Sequence, residues 1–232
     1  MKKKICLLLG LIFVGTIFFL SGCQGNKLSK EELIEQIIEK NNKVQYVEIK
    51  NDLETDIHSG FTSQMTKQEL EGNAEYDLKT KQIKEGKVRI KSNGSVKSDV
   101  TVEFSNGVYK ETNNIINNQV TRYGAKYTMN PDFHQLIEFL STIKKDLALE
   151  ENDSSYLLKL KGDSKGLELL LENQYRLKLS NIDFSELDKE LTLEFEKDTF
   201  YLKNLKFNLS YDGSRGKIKM DNVTVFSKHN GK

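Results

Sequence analysis

An alternation of apolar and charged residues runs through most of this chain, and it limits the folds that are open to it. Val47, Ile49, Leu53 and Ile57 are separated by charged or polar residues, and the range 205–211 repeats the pattern near the C-terminus. Successive side chains of a β-strand point to opposite faces of a sheet, so this period of two predicts strands with one apolar face. Such strands form antiparallel sheets that bury one face.

Further segments carry the same pattern, and most of them are bounded by turn residues. They cover residues 66–78, 83–90, 96–104, 118–129, 155–161, 191–196 and 217–226. In the last segment the apolar positions change phase near Asp221 and Asn222, which predicts a β-bulge. Tyr175, Leu177 and Leu179 suggest one more short strand. About eight to ten antiparallel strands are expected.

Helical periodicity is confined to three places. Ser29 and Glu32 have the spacing of a capping box, and the helix that they begin is expected to end near Asn41. Asn130 and Pro131 predict a second helix start, with Asn as the cap. Its expected buried face consists of Phe133, Leu136, Ile137, Leu140, Ile143 and Leu147. A short helix is expected between residues 164 and 173. The fold class is therefore α+β, with the apolar face of the sheet closed on itself or curled around the helices.

The N-terminus has the layout of an export signal. Three lysines, residues 2–4, precede sixteen uncharged residues, 5–20. That run is shorter than the roughly 18–20 residues that cross a bilayer comfortably, and it fits the apolar region of a signal peptide. An uncleaved anchor helix is the alternative. Small residues Ser21 and Gly22 then precede Cys23.

Leu20-Ser21-Gly22-Cys23 resembles the lipobox of bacterial lipoproteins. The resemblance implies cleavage between Gly22 and Cys23, lipidation of the Cys23 sulfur (a palmitate-type acyl anchor) and location on the outer face of the cell membrane. Residues 1–22 would then be the signal peptide, and residues 23–28 a short tether. The many Lys, Asn and Ile residues are typical of low-GC Gram-positive bacteria.

Composition excludes several classes of function. Removing residues 1–22 takes away three lysines, so 35 − 3 = 32 basic residues face 34 acidic ones, a formal charge of −2. A near-neutral, finely mixed charge argues against nucleic-acid binding. Cys23 is then the sole cysteine, so no intramolecular disulfide is possible, and the fold must be held by its core.

No constellation for catalysis, metal or cofactor binding is visible in the sequence. His58, His134 and His229 lack partners at metal-ligand spacing, and there is no nucleophile motif or phosphate-binding loop. His134 is expected at the surface, and His229 in a C-terminal tail, residues 228–232. We therefore expect a non-enzymatic protein without metal or cofactor.

The order of elements resembles the LolA/LppX/LprG type of lipoprotein carrier, with a helix, meandering strands, a mid-chain helix and further strands in residues 29–227. The resemblance implies one domain, a strongly curved antiparallel half-barrel with two or three helices on its concave side. It also implies a cavity for a lipid or other apolar ligand. Candidate lining residues are Tyr109, Tyr123, Tyr127, Leu136, Leu140, Leu167 and Leu170. Residues 167–171 could instead be ordinary core. The alternative function is a protein- or peptide-binding lipoprotein, of the accessory or immunity type, with a filled core.

Overall fold

The computed structural model of the chain describes residues 28–59, 61–175 and 182–231. Cys23, the leader and the strand predicted around Leu177 and Leu179 lie outside these residues. The chain separates into two compact units, Met1–Leu33 and Ile34–Lys232. Everything described below, apart from the first turn of helix α1, belongs to the second unit.

Eleven strands of the described residues form one antiparallel sheet. They are β1 (Tyr46–Ser59), β2 (Thr62–Tyr76), β3 (Ile83–Asn93), β4 (Ser98–Ser105), β5 (Val108–Asn113), β6 (Asn118–Tyr123), β7 (Ala148–Glu151), β8 (Ser155–Lys161), β9 (Asp188–Glu196), β10 (Leu202–Gly213) and β11 (Gly216–Ser227). Their order across the sheet is β6-β5-β4-β3-β2-β1-β11-β10-β9-β8-β7. Two meanders are thus joined where the first strand pairs with the last.

Three α-helices accompany the sheet at the positions that the sequence predicts. They are α1 (Lys30–Asn41), α2 (Phe133–Ile143) and α3 (Lys165–Leu170), the last continuing as a π-helical turn, Leu171–Tyr175. The capping box at the start of α1 is present, because the Ser29 amide donates to Glu32 (2.9 Å) and the Glu32 amide donates to Ser29 Oγ (3.3 Å). Short 3-10 turns lie at Phe184–Glu186 and His229–Gly231.

The sheet is curled and open, like a half-barrel, and its apolar side chains lie on the face that carries the helices. We call this the inner face. Phe133 of α2 packs edge-to-face on Phe226 of β11, with ring centroids 5.4 Å apart, and Tyr175 stacks on Phe207 of β10 at 5.5 Å. Removal of these apolar side chains from water is the main stabilising contribution. The predicted α+β half-barrel is confirmed.

Three local predictions were wrong. Strand β11 pairs without a register shift with β1 and β10, so there is no bulge at Asp221. Asn222 points inward instead, and Val223 outward. The cap of α2 is Asp132, whose carboxylate accepts from the Gln135 amide at 3.0 Å. Strand β6 ends at Tyr123 rather than near residue 129.

Val96 and two of the histidines also lie elsewhere than predicted. Val96 is in the turn before β4, where its side chain is 77% exposed. His134 and His229 are buried rather than on the surface or in a loose tail. Their rings flank the Phe133 ring, with centroid distances of 5.4 and 5.8 Å. Both imidazole rings therefore belong to an aromatic cluster at the start of α2.

Candidate functional site

The inner face is closed near the helices and becomes partly open along the same strands. Val47 and Ile49 of β1 and Phe226 of β11 are fully buried. Further along β1, Leu53 is only half-buried, and Ile57 is 39% exposed. The residues at the far end of the inner face are therefore in contact with solvent, although their side chains are apolar.

The open part of the inner face extends across several strands. Its half-buried or exposed apolar side chains are Leu53, Ile57, Ile90, Val100, Val120 and Ile218. Hydroxyl and amide groups lie between them, since Gln68 of β2 is paired with Leu53 on one side and with Ser92 of β3 on the other. This mixture gives a surface that suits an amphipathic molecule rather than a purely hydrocarbon one.

A buried polar cluster borders this open part. Asn51 donates from Nδ2 to Thr224 Oγ1 (2.8 Å), and the Thr224 hydroxyl donates to Asn222 Oδ1 (3.2 Å). The hydroxyl of Tyr175 donates to the same Asn222 oxygen at 2.7 Å. Burial raises the pKa of Tyr175, so the hydroxyl stays protonated and remains a donor. The cluster thereby connects the π-helical turn to the middle of the sheet.

Sequence reasoning missed this cluster, although its signal is present. Asn222 and Thr224 continue the period of two that Met220 and Phe226 define, so they share the inner face with them. Val223 and Val225 are apolar but face outward, so the assumption that apolar residues face inward gives a false change of phase. The polar residues at the inward positions were the informative ones, because buried polar groups need hydrogen-bond partners.

A second feature is a cleft at the start of α2, with a volume of about 420 Å³. Ile83, Phe104 and Tyr127 form its apolar wall, and its rim carries charged residues such as Lys84 and Lys126. Tyr127 is brought against Phe104 (6.1 Å between centroids) and Tyr109 (6.0 Å). Two of the tyrosines predicted to line a cavity therefore meet beside this cleft.

Asp132, which lines this cleft, and His134, two residues further along the chain, have perturbed pKa values. Burial raises the pKa of Asp132 to about 6, opposed by hydrogen bonds such as that from Gln135. Burial lowers the pKa of His134 to about 4. The neutral His134 ring donates from Nε2 to the Val44 carbonyl at 2.9 Å, which leaves Nδ1 without a hydrogen-bond partner. Both shifts follow mainly from burial, since the Asp132 carboxylate caps α2 and the His134 ring packs in the aromatic cluster.

The other predicted lining residues have different surroundings. Leu136 and Leu140 on α2, and Leu167 and Leu170 on α3, are buried in the core. Tyr123 is 81% exposed and shares a face with Val108, opposite to that of Tyr109. The assignment of these residues to a ligand cavity stays a prediction, as does the lipidation of Cys23.

The outer face of the sheet is charged and carries further cavities. One of them, about 610 Å³, lies across β11, β1 and β2 and is lined mainly by charged and polar side chains, including Glu54, Lys67 and Lys219. Among the described residues, no group of three or more His, Cys, Asp or Glu side chains is placed to hold a metal ion. In the same residues no helix has the length and apolar character needed to span a membrane.

Comparison with protein families assigns the chain to one of them. The model of a family of unknown function, DUF6612, matches residues 29–231. The chain belongs to the DUF6612 family. The matched range contains all three helices and all eleven strands of the described residues. No curated protein matches this DUF6612 chain.

Solved structures with some likeness to the DUF6612 chain are distant. The MucA/MucB complex of Pseudomonas aeruginosa is 8% identical, with a TM-score of 0.28 over 83% of this chain and 56% of the matched one, so this chain spans just over half of that length. A DUF1329 family protein from Desulfovibrio piger is 10% identical, with a TM-score of 0.29 over 85% and 90%. A domain from Vibrio parahaemolyticus named for outer membrane lipoprotein sorting is 8% identical, with a TM-score of 0.25 over 86% and 92%. At these values the likenesses carry no functional argument.

Proposed function

We propose that this DUF6612 protein is a lipid-anchored binding protein on the outer face of the cell membrane. It takes a lipid or another largely apolar ligand on the inner face of its sheet and performs no covalent chemistry. The observation that carries the proposal is the partly open inner face, where Leu53, Ile90 and Val100 are half-buried beside Gln68 and Ser92.

Burial of alkyl surface supplies the affinity of such a site. Covering apolar surface contributes about 25 cal/mol per Å². An acyl chain laid across β1 to β4 would cover the aliphatic side chains, and its polar end would find the amide of Gln68 and the hydroxyls of Thr66 and Ser92. A ligand with both parts therefore fits better than a pure hydrocarbon.

The membrane location rests on the lipobox. A diacylated cysteine gives the two chains that stable anchoring requires. Residues 24–28 reach at most roughly 17 Å, so the domain would stay near the bilayer surface and its ligand would travel a short path. Cys23→Ala should leave the protein unprocessed, which the electrophoretic mobility of the precursor reports. It should also reduce membrane association, which fractionation of the cells reports. Unchanged processing and fractionation would reject the anchor.

A matched pair of substitutions tests the ligand site. Ile90→Gln alters the open part of the inner face, whereas Val223→Gln changes a residue that is 40% exposed on the outer face. Titration with a fluorescent fatty acid should give saturable binding to the wild type and to Val223→Gln, and weaker binding to Ile90→Gln. Equal binding by all three proteins, or none by the wild type, would overturn the assignment.

The exposed edge of the sheet favours a second function. All six residues of β6 are exposed, and β6 is the last strand on its side of the sheet. An unpaired edge can accept an extended peptide as an additional strand. A partner captured from intact cells that is lost with Val120→Pro in β6, and kept with Ile90→Gln, would favour this reading over ligand carriage.

A further inference from the structure

Exposed apolar residues occupy the hairpin turns at one end of the first meander. The turn after β1 carries Phe61, which is fully exposed, and the turn after β3 carries Val96, which is 77% exposed. The turn after β5 carries Ile115 and Ile116, which are 59% and 67% exposed. In an antiparallel meander alternate turns lie at the same end, so all three belong to one end of β1 to β6.

The registers of the strands bring these three turns toward one rim. Gly94, the first residue after β3, continues that strand to the level of Thr66 in β2. Asn114, the first residue after β5, lies at the level of Asp99, and thus of Lys91 and Glu69. From one of these turns to the next, the position of the turn therefore shifts by roughly 12 Å along the strands and by roughly 10 Å across the sheet. The ratio of these two shifts is close to that expected from the tilt of the strands in a β-barrel. The three turns therefore lie along the rim of the half-barrel.

The third turn is held so that its isoleucines project outward. The side chain of Asn113 accepts hydrogen bonds from the Ile115 amide (3.0 Å) and the Ile116 amide (3.3 Å). Asn114 donates from Nδ2 to Asp99 Oδ1 (2.7 Å) and to Thr101 Oγ1 (2.9 Å) on β4. Two apolar side chains are thus displayed on an ordered support.

The turns at the opposite end of the same strands differ in character. Residues 77–82, after β2, contain Asp77 and two lysines, and Asn106-Gly107 follows β4. Leu78, at 36% exposed, is their largest exposed apolar residue. In contrast, no carboxylate occurs in residues 59–62, 94–97 or 114–117, where Lys97 is the sole charged residue. Entry of these three turns into an apolar medium would therefore desolvate no acidic group.

We propose that the three turns around Phe61, Val96 and Ile115-Ile116 dip into the interfacial region of the lipid bilayer and hold the open rim of the sheet against it. Single apolar side chains on separate, convex turns suit a fluid surface that closes around each of them, whereas a folded protein partner would need a matching hollow for each turn. Exposed apolar patches mark such contact surfaces. The inference rests on the proposed membrane location and adds the orientation of the domain.

The absence of tryptophan from the chain makes the test direct. Phe61→Trp and Ile116→Trp each introduce a single reporter at the rim, and Leu78→Trp is the matched control at the opposite end. The full protein, processed in cells and purified from their membranes, is reconstituted into phosphatidylcholine vesicles with plain or brominated acyl chains. Flotation of the vesicles reports the anchor, and loss of tryptophan fluorescence reports contact with acyl chains.

We expect the protein to float, and brominated lipid to quench Trp fluorescence in Phe61→Trp and Ile116→Trp but not in Leu78→Trp. Flotation without quenching at the rim overturns the inference and leaves the anchor standing, as does equal quenching at both ends. If the tryptophan fluorescence of Phe61→Trp or Ile116→Trp changes only in native membranes that retain their proteins, the turns contact a protein partner instead. Failure to float overturns the anchor and the rim contact together.

Discussion

A single lysine on the inner face shows how one buried charge can organise two loops. The Lys189 side chain is fully buried on β9, and its ammonium donates to Asp163 (2.5 Å), to the Phe184 carbonyl (2.6 Å) and to the Leu187 carbonyl (3.2 Å). It also lies 4.1 Å from the centre of the Phe184 ring. Three donors thus meet three acceptors, which is what a buried ammonium requires.

Lys189→Met should therefore destabilise the protein. The methionine keeps most of the apolar stem, but the Leu187 carbonyl loses its lysine donor and the Phe184 carbonyl is left with the Leu187 amide (3.3 Å), at a cost of about 1–3 kcal/mol. Urea unfolding measures the change, with Lys206→Met on the outer face of β10 as the control. If both variants unfold at the same urea concentration, the buried ammonium contributes nothing specific.

His134 should make stability depend on pH. Its pKa falls from 6.5 to about 4 on folding, so the unfolded chain binds the proton more tightly. The stability that His134 contributes is complete above pH 6.5 and is lost as pH falls toward 4, by up to about 3 kcal/mol. Asp132 acts in the opposite sense, because its raised pKa favours the folded state at low pH and this benefit is lost as pH rises through 6.

His134→Gln isolates the histidine from this opposing effect. Glutamine retains an amide N–H that can donate to Val44, and it does not titrate. Between pH 7 and pH 4.5 the variant should lose less unfolding free energy than the wild type, as measured by urea unfolding at both pH values. His58→Gln, at an exposed site, is the matched control for replacing a histidine by glutamine. A parallel pH profile for His134→Gln would contradict the assignment.

At the scale of elements, the contact between α2 and α3 depends on a glycine. A Cβ built on Gly166 would lie 2.0 Å from Ile143 Cγ2, far inside van der Waals contact. Gly166→Ala should destabilise the protein by about 1–3 kcal/mol, in spite of the better helix propensity of alanine. Ile143→Leu removes the branch that clashes, so the double variant should recover part of the loss. Additive losses in a thermal unfolding cycle would argue against this contact.

The elements also show how far the sequence predicts the fold. Period-two and helical patterns located most strands and all three helices, because most of these elements have one buried face. They failed where a residue's surroundings come from distant parts of the chain. Asn222 is inward because the hydroxyls of Tyr175 and Thr224 donate to its side-chain oxygen. His134 is buried because the Val44 carbonyl accepts a hydrogen bond from its ring and aromatic rings enclose it.

On the scale of the whole molecule, the curled one-sheet architecture was predictable, but the extent to which its inner face is covered was not. Coverage depends on where the helices lie along the strands, which no local pattern encodes. Burial falls from Ile49 to Leu53 to Ile57 along one strand although all three look alike in sequence. The three candidate tyrosines likewise do not share one site. Tyr109 and Tyr127 are in contact, whereas Tyr123 lies on the opposite face of the sheet from Tyr109.

Native mass spectrometry of the protein released gently from cell membranes tests the central claim most directly. The partly open inner face predicts a non-covalent adduct with the mass of a lipid, in addition to the covalent acyl groups that we propose on Cys23. The adduct should persist in Val223→Gln and disappear or decrease in Ile90→Gln. A wild-type protein without any non-covalent adduct, or an adduct equally abundant in both variants, would contradict the claim that this face binds the ligand.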